Sequence, residues 1–421
     1  MTVVGIDDTD SRERGMCTTY AAARLADRVR EDGASVERVL LVRLNPAIEH
    51  KTRGNAALAL HTSADPGRAF ELAQAELAAA ETDDPNTHPG LVVAPGDPED
   101  VPEPVVRFAR DAMRERHDLA DALALIEGQG YQAAGWKEGR GRIGALAAVG
   151  AWPAIDDWTY EHVAYRESER RGTPREVDYD SVFAAAERGY PDAWDTVDRV
   201  EGEAVCVPHT PGPVLYGIRG DDIGVVRSVA SEITSESVER TQAFVTNQGT
   251  DAHLQDGDLG DLRDGRSYRV SGTVIDPPGT REGGHVFFAM ADGDDAIECA
   301  AFEPTKRFRD RIRALRTGDR ITACGEVSEG TLKVEKFAVR DLDRTERVTP
   351  TCPDCGRSME SAGADQGYRC RDCGTSAPGK VTREVDRGLE RGWYEVPPCA
   401  RRHVAKPLVR GGFDAPTHPE R

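Results

Sequence analysis

Apolar residues recur with two different periods along this chain. Thr2–Ile6 is a short run of apolar and β-branched residues, which predicts a strand, and Asp7–Gly15 after it is polar. From Thr18 to Glu31 the spacing becomes helical, with Ala22, Leu25, Ala26 and Val29 on one face and Thr18 or Thr19 placed to cap it. Strands are predicted at Val39–Leu44 and Leu91–Ala94, and helices at Arg68–Glu81 and Val105–Arg116. A glycine-rich stretch spans Gly128–Gly144. Ile143–Ala151 fits strand or helix, Trp158–Arg166 predicts helix, and Arg219–Val229 and Thr241–Thr246 predict sheet. Asp and Gly accumulate over Gly257–Gly265, which marks a boundary. From Ser267 to Asp341 short strands dominate: Tyr268–Ile275, His285–Met290, Ala296–Ala301, Arg320–Glu326 and Leu332–Val339. One helix, Thr305–Leu315, precedes the last two. That is the plan of an OB-fold β-barrel, and a generic small β-barrel fits the same pattern.

A length of 421 residues allows two to four domains, and 38% apolar residues suffice for real cores. The formal net charge is −20, and only 7 of the 54 basic residues are lysine. An acidic, lysine-poor surface stays hydrated in molar salt, so a halophilic archaeal source is expected; an ordinary acidic cytosolic protein is the alternative. No apolar run approaches the ~20 residues that span a bilayer, and no signal peptide is visible, which gives a cytoplasmic expectation. Nine cysteines in such a chain point to metal binding or reduced thiols before disulfides.

The sharpest chemical signal is a pair of knuckles, Cys352-Pro-Asp-Cys355 and Cys370-Arg-Asp-Cys373, each followed by glycine. Two such pairs converge four thiolates on one tetrahedral Zn²⁺, as in a zinc ribbon; a redox pair is the competing reading. All four ligands are protein thiolates, so the Zn²⁺ is structural. A second signal is Gly5-Ile6-Asp7-Asp8-Thr9-Asp10-Ser11, three carboxylates directly after a strand. Hard oxygen ligands there can hold Mg²⁺ against a triphosphate, and the helix start after Gly15 offers N–H groups to phosphate. A solvated acidic turn is the alternative. No P-loop motif occurs. Lys51-Thr52-Arg53-Gly54-Asn55 places two cations beside a glycine, which fits phosphate binding or a solvated turn.

Taken in order, Gly5–Ser11, Arg14–Tyr20, Lys51–Asn55, Gly141–Ala148, Pro213–Gly220, Thr246–Leu254, Gly283–Phe288, Phe302–Arg309, the two knuckles and Ala400–Leu408 resemble the TiaS family over essentially the whole chain. Those enzymes are 2-agmatinylcytidine synthetases acting on the isoleucine tRNA with a CAU anticodon. The resemblance implies an ATP-dependent ligase that joins agmatine to C2 of the wobble cytidine through phosphorylation of the C2 oxygen, so that AUA is decoded as isoleucine. It implies a multidomain α+β chain with a kinase-like α/β N-terminal domain (residues 1–125), a ferredoxin-like domain (126–262), an OB-fold (266–345), a zinc ribbon (348–378) and a C-terminal segment (379–421). It assigns catalysis to Asp7, Asp8, Asp10 and Thr18, with the three aspartates holding Mg²⁺ and Thr18 matching a threonine associated with autophosphorylation. ATP binding falls to Lys51, Arg53, Gly54 and Asn55. Glu13 is an extra charge in the loop Ser11–Arg14 relative to the family pattern.

The expected cofactors are therefore ATP, Mg²⁺ and Zn²⁺, and the expected partners are the tRNA and agmatine, with no membrane. At about 1 M salt the Debye length is ~3 Å, so RNA contacts should lean on stacking and on the planar fork of arginine. Pro208–His209 and Asn247–Asp251 are polar-loop candidates for the pocket. His61, His162 and the remaining cysteines are expected to be packed or surface residues. Two competing readings stand beside this one: a single-strand nucleic-acid-binding protein built on the OB-fold and ribbon, without catalytic activity, and a metal-dependent phosphohydrolase of small nucleotides.

Overall fold

The structure is a computed structural model that describes residues 1–11, 16–49, 51, 54–80 and 82–421. Among the described residues the N-terminal part contains β1 (Thr2–Asp7), α1 (Thr18–Glu31), β2 (Val36–Arg43), β3 (Ala56–Thr62), α2 (Pro66–Leu77), β4 (Gly90–Pro95), α3 (Glu103–Ala112), α4 (Leu119–Gly128), β5 (Gln132–Gly135) and α5 (Arg142–Ala154). It continues with β6 (Thr159–Arg166), α6 (Tyr179–Gly189), β7 (Ala193–Trp194), β8 (Val214–Gly220), α7 (Ile223–Ser231) and β9 (Val238–Thr246). All nine strands join one sheet in the order β5-β4-β1-β3-β2-β9-β6-β8-β7. The two halves meet through the parallel pair β2–β9, Leu40 against Val245 and Leu41 against Thr246.

The period-2 pattern divides this sheet between two cores. Val4, Ile6, Leu41 and Leu58 face α1 and α2; Val3, Leu40, Val42 and Ala59 face α3, α4 and α5. Helices on both faces leave these strands apolar on both sides, as buried strands require. α5 is apolar nearly all round because it lies on the sheet under α3, which settles the open choice at Ile143–Ala151 in favour of helix.

Several expectations are corrected. Trp158–Arg166 is not helical: Thr159–Arg166 is β6, held on both sides by β8 and β9, and that pairing overrides the weak helical spacing. Arg219–Val229 is not all sheet. β8 ends at Gly220, and the Asp222 side chain accepts the Val225 N–H at 2.9 Å to open α7. Neither Thr18 nor Thr19 caps α1; Cys17 holds the cap position and Thr18 is the first helical residue.

A second sheet follows. β10 (Leu254–Asp256) leads into β11 (Arg266–Thr280), β12 (Val286–Asp292), β13 (Asp295–Ala301), α8 (Phe308–Arg313), β14 (Arg320–Ser328) and β15 (Thr331–Asp341). β11 pairs β12, β12 pairs β13, β13 pairs β15, β15 pairs β14, and β14 returns to β11. The five strands thus close on themselves around Val270, Phe288, Ile321 and Phe337, with α8 contributing Phe308 and Ile312. Two small sheets come next, β16 (Thr345–Val348) with β20 (Val381–Glu384), and β17 (Glu360–Ser361), β18 (Tyr368–Arg369) and β19 (Ser376–Ala377) around the cysteine knuckles. The chain then returns: β21 (Gly392–Glu395) pairs β15, and β22 (Thr417–His418) pairs β21. Among the described residues no helix is long and apolar enough to cross a membrane.

Candidate functional site

β1 ends at Asp7, opposite Gly90 of β4. Asp8 turns the chain with φ +60°, a conformation that aspartate tolerates better than most residues. Its N–H donates to Asp7 Oδ1 at 2.7 Å, and its own Oδ2 accepts from the His88 N–H at 3.2 Å and Arg140 Nε at 3.4 Å. Asp10 points back to α1, where its Oδ1 accepts the Thr18 backbone N–H and, at 3.2 Å, the Thr18 hydroxyl. The Thr9 N–H and hydroxyl both reach Thr18 Oγ1. Thr18 is therefore buried behind Asp10.

The start of α5 lies directly against these carboxylates, and four glycines permit the approach. A Cβ on Gly144 would sit 1.9 Å from Asp7 Oδ2, one on Gly141 2.8 Å from the Asp7 carbonyl, one on Gly90 2.0 Å from the Arg142 nitrogen, and one on Gly5 2.1 Å from the Ala145 carbonyl. The positive end of the α5 dipole thus meets the acidic turn. Gly144→Ala should displace Asp7 or lift the helix. We expect stability to drop by about 1–3 kcal/mol. Gly128→Ala, which meets nothing within 4 Å, should leave it unchanged in the same melting experiment.

A cleft of about 360 Å³ opens over the turn. Asp7, Asp8, Asp10, Lys51, Gly54 and Asn55 all line it, so residues from two separate stretches of sequence converge. Leu44, Ile48, Leu119 and Ile143 supply an apolar wall. Lys51 donates its ammonium to the Pro46 carbonyl, and burial lowers its pKa. The Asn55 amide nitrogen donates to the Asn45 carbonyl at 2.9 Å, which pins the loop. Arg53 lies outside the described residues.

Burial raises the Asp7 carboxyl well above the ordinary carboxylate range, and the neighbouring Asp8 charge adds to this. Burial likewise raises Asp8 to about 7, against the pull of the Arg140 guanidinium. Two buried acids side by side thus share the pull of one guanidinium, which does not offset the cost of ionising both. Among the described residues only the knuckle cysteines gather three or more ligand atoms around one point; here Asp7 and Asp8 offer hard oxygens of the kind a divalent cation takes, while Asp10 is turned to Thr18.

Sequence reasoning missed Arg140, which pairs with Asp8 and donates to the Asn86 carbonyl at 2.8 Å. It also missed the role of Gly141 and Gly144. The glycine-rich stretch was visible, but nothing in it revealed that it folds back onto β1. The loop candidates fall elsewhere. His209 is exposed and pairs with Glu203, and Asn247 is buried, accepting the Arg43 N–H at 2.7 Å to tie β9 to β2. His61 is a core residue whose pKa burial lowers to about 3, helped by Arg38.

The four knuckle cysteines converge with their sulfurs all within 4.8 Å of one another. In each knuckle the glycine N–H returns to the first cysteine's carbonyl, Gly356 to Cys352 and Gly374 to Cys370, with φ of +73° and +74°. This is a closed tetrathiolate site for structural zinc.

Comparison with known proteins extends over the whole chain and includes the ribbon. Models described as the TiaS TCKD domain, the TiaS FLD domain and the TiaS C-terminal zinc ribbon domain match residues 3–75, 139–253 and 349–389. An isoleucine-tRNA 2-agmatinylcytidine synthetase TiaS from Haloquadratum walsbyi is 55% identical, with 100% of each chain covered, in keeping with the halophilic character of the composition. The crystal structure of a TiaS complex with its isoleucine tRNA and ATP matches with a TM-score of 0.91 at 41% identity, covering 100% of this chain and 99% of that one. That of a TiaS complex with the same tRNA, AMPCPP and agmatine matches with a TM-score of 0.88 at 39% identity over the same shares. Relatedness of this degree across the full length places the chain in the TiaS family of isoleucine-tRNA 2-agmatinylcytidine synthetases.

Proposed function

We propose that this chain joins agmatine to C2 of the wobble cytidine in the isoleucine tRNA with a CAU anticodon, at the expense of ATP, so that AUA is read as isoleucine. One observation carries the reading onto this chain. Its acidic turn, Lys51, Gly54 and Asn55, and the start of α5 meet in a single cleft, and solved relatives of matching fold bind the isoleucine tRNA, ATP and agmatine. A single-strand binder without catalysis would have no use for two buried, like-charged carboxylates facing a cleft.

The cytosine C2 oxygen is a poor leaving group. Transfer of a phosphoryl group onto it lets phosphate depart when the deprotonated agmatine amine attacks C2. Asp7, Asp8 and Asp10 would hold Mg²⁺, which supplies charge neutralisation for the triphosphate. Arg140 and Lys51 border the same space and would meet phosphate oxygens. Thr18, hydrogen-bonded to Asp10, would orient that carboxylate, and the family resemblance makes its hydroxyl the candidate for autophosphorylation. The cytidine must leave its stack to reach the cleft. We assign the first half of the large sheet to a kinase-like domain, β6–β9 with α6 and α7 to a ferredoxin-like domain, the closed five-stranded barrel to an OB-fold, and residues 348–378 to the ribbon. On this assignment the first boundary falls between α5 and β6 and not at 125, which lies inside α4; those at 262 and 345 belong to the same proposal.

The test is direct. Protein, ATP, agmatine and the tRNA transcript at high salt should yield a cytidine heavier by agmatine minus water. Folded, zinc-loaded protein that makes no such product would overturn the reading. A second expectation concerns protons. Metal binding needs Asp8 ionised, and in the free protein it titrates at about 7. MgATP binding should release more protons at pH 6.5 than at pH 8.5, where Asp8 is already ionised and Asp7, also raised by burial, supplies any remainder, and should tighten as pH rises between them. Calorimetry in buffers of different ionisation enthalpy measures this, and equal proton release at both pH values would contradict it.

A further inference from the structure

A second cleft, of about 480 Å³, lies between the large sheet and the barrel. It is lined from three directions: Arg110 and Arg114 at the end of α3, Arg269 and Arg340 on β11 and β15, and Lys406 of the C-terminal segment. Asp156, Asp157, Asp251 and Asp414 line it as well, so the pairing within the cleft decides which charges are left to a ligand.

Its carboxylates are mostly committed. Asp157 is held by both terminal nitrogens of Arg410, at 2.9 and 3.0 Å. Asp251 accepts Lys336 at 3.0 Å, Arg269 at 3.1 Å and the Lys406 backbone N–H at 2.8 Å. Asp414 accepts Arg340 and the Trp393 indole at 2.9 and 2.8 Å. The cations are not matched in the same way. Among the described residues Arg110 reaches a carboxylate only at Glu103, 4.0 Å away. Among the described residues Arg114 forms no ion pair, its guanidinium donating through Nε to the Ala252 carbonyl at 3.1 Å. Arg110 lies in the last turn of α3 and Arg114 just past its end, near enough for their charges to repel. Burial and the Arg110 charge both lower the Arg114 pKa, the condition of a cation awaiting an anion. Lys406 has its ammonium over the Phe413 ring, 5.8 Å from the centroid, and no carboxylate partner among the described residues.

We propose that Arg110, Arg114 and Lys406 form a docking cleft for the phosphodiester backbone of the RNA substrate, separate from the acidic cleft that does the chemistry. This rests on the tRNA-modifying function proposed above. A polyanionic backbone is favoured over a free nucleotide because the cations come from two distant parts of the chain, the end of α3 and the C-terminal segment, and an arginine fork hydrogen-bonds phosphate oxygens in salt that screens plain charge. The position adds a reason. Arg110, Met113 and Arg114 line this cleft, while Ala112 and Glu115–Leu119 line the acidic one. A single helix end thus separates the two, and RNA seated on one side lies next to the catalytic turn on the other.

The test uses the full zinc-loaded chain. Binding of the tRNA transcript is measured across a salt series for wild type, Arg110→Gln/Arg114→Gln and Lys406→Gln, with MgATP affinity, inorganic pyrophosphate affinity and melting temperature as companion readouts. The double variant should bind tRNA about 10- to 100-fold more weakly, with a slope of log Kd against log salt reduced by about 2. MgATP affinity and melting should be unchanged. Arg110→Lys/Arg114→Lys should restore the slope but only part of the affinity. Wild-type tRNA binding and slope in the folded double variant would overturn the proposal. Loss of pyrophosphate or ATP binding with tRNA binding intact would also overturn it, making the cleft a small-anion site. If the wild-type chain binds no tRNA at all, the parent function falls together with this inference.

Discussion

Asp8→Asn is expected to slow agmatine transfer by about three orders of magnitude or more while making the metal-free protein more stable above pH 7. The rate loss follows from removing one of the three carboxylates proposed to hold Mg²⁺ where phosphoryl charge must be neutralised. The gain in stability follows from linkage. In the unfolded chain the Asp8 carboxyl has its ordinary value near 3.8, and burial in the fold raises it to about 7. Between those values the folded protein keeps a proton that the unfolded chain has lost, so stability falls as pH rises through the window, and the full cost of the buried charge is present above 7. Asparagine has nearly the same shape, keeps an oxygen for the His88 N–H, and has no charge to bury. Wild type and variant should therefore melt alike near pH 4, with the variant ahead by roughly 2 kcal/mol at pH 8. Loss of the Arg140 partner offsets some of that gain. Saturating Mg²⁺ should reverse the order at pH 8, because only wild type gains from the ion. A variant less stable than wild type at pH 8 without metal would show that Asp8 is an ordinary structural carboxylate.

What could be read from the residues divides along physical lines. The thiolate knuckles were legible because four soft ligands at that spacing satisfy one ion and little else. The strands around Val270–Val339 were legible because alternation in a half-exposed barrel is regular. The acidic turn was legible as a cluster, since Asp7, Asp8 and Asp10 are adjacent in sequence. Lys51 and Asn55 could be suggested, but their meeting with the turn depends on β3, which brings the loop back beside β1, and β3 was not predicted. Arg140 was out of reach altogether. Its place depends on α5 crossing under β1 and β4 at a distance only glycine allows, and sequence alone shows glycines without the backbone they accommodate. β6 was misread because Glu161 is polar at a position buried in this fold. Its charge is offset by Arg219 at 3.2 Å and Arg43 at 3.5 Å, partners from two other strands.

Cys370→Ser should release the zinc and unfold the ribbon while the rest of the molecule stays folded. Apart from the thiolates, the ribbon's core holds one fully buried side chain, Met359, with Tyr368 and Ala377 half-buried against it. Its central strands are two residues long. A unit that small cannot offset the conformational entropy of about forty residues without the metal, whose contribution is on the order of 10 kcal/mol. The unfolding should remain local because the ribbon is an excursion. β15 before it and β21 after it pair with each other, Phe337 against Tyr394, and the returning segment is clamped to the large sheet by Arg410 on Asp157 and Asp221 and by Arg401 on Asp195. Zinc content should fall from one equivalent to none, and ribbon amides should lose protection from hydrogen exchange. The main melting transition should shift by only a few degrees. MgATP and agmatine should bind with wild-type affinity, whereas tRNA affinity falls at least tenfold if the ribbon grips the RNA. Loss of agmatine or ATP binding with the zinc would instead place the ribbon within the catalytic cleft, and an unchanged tRNA affinity would leave it a purely structural appendage.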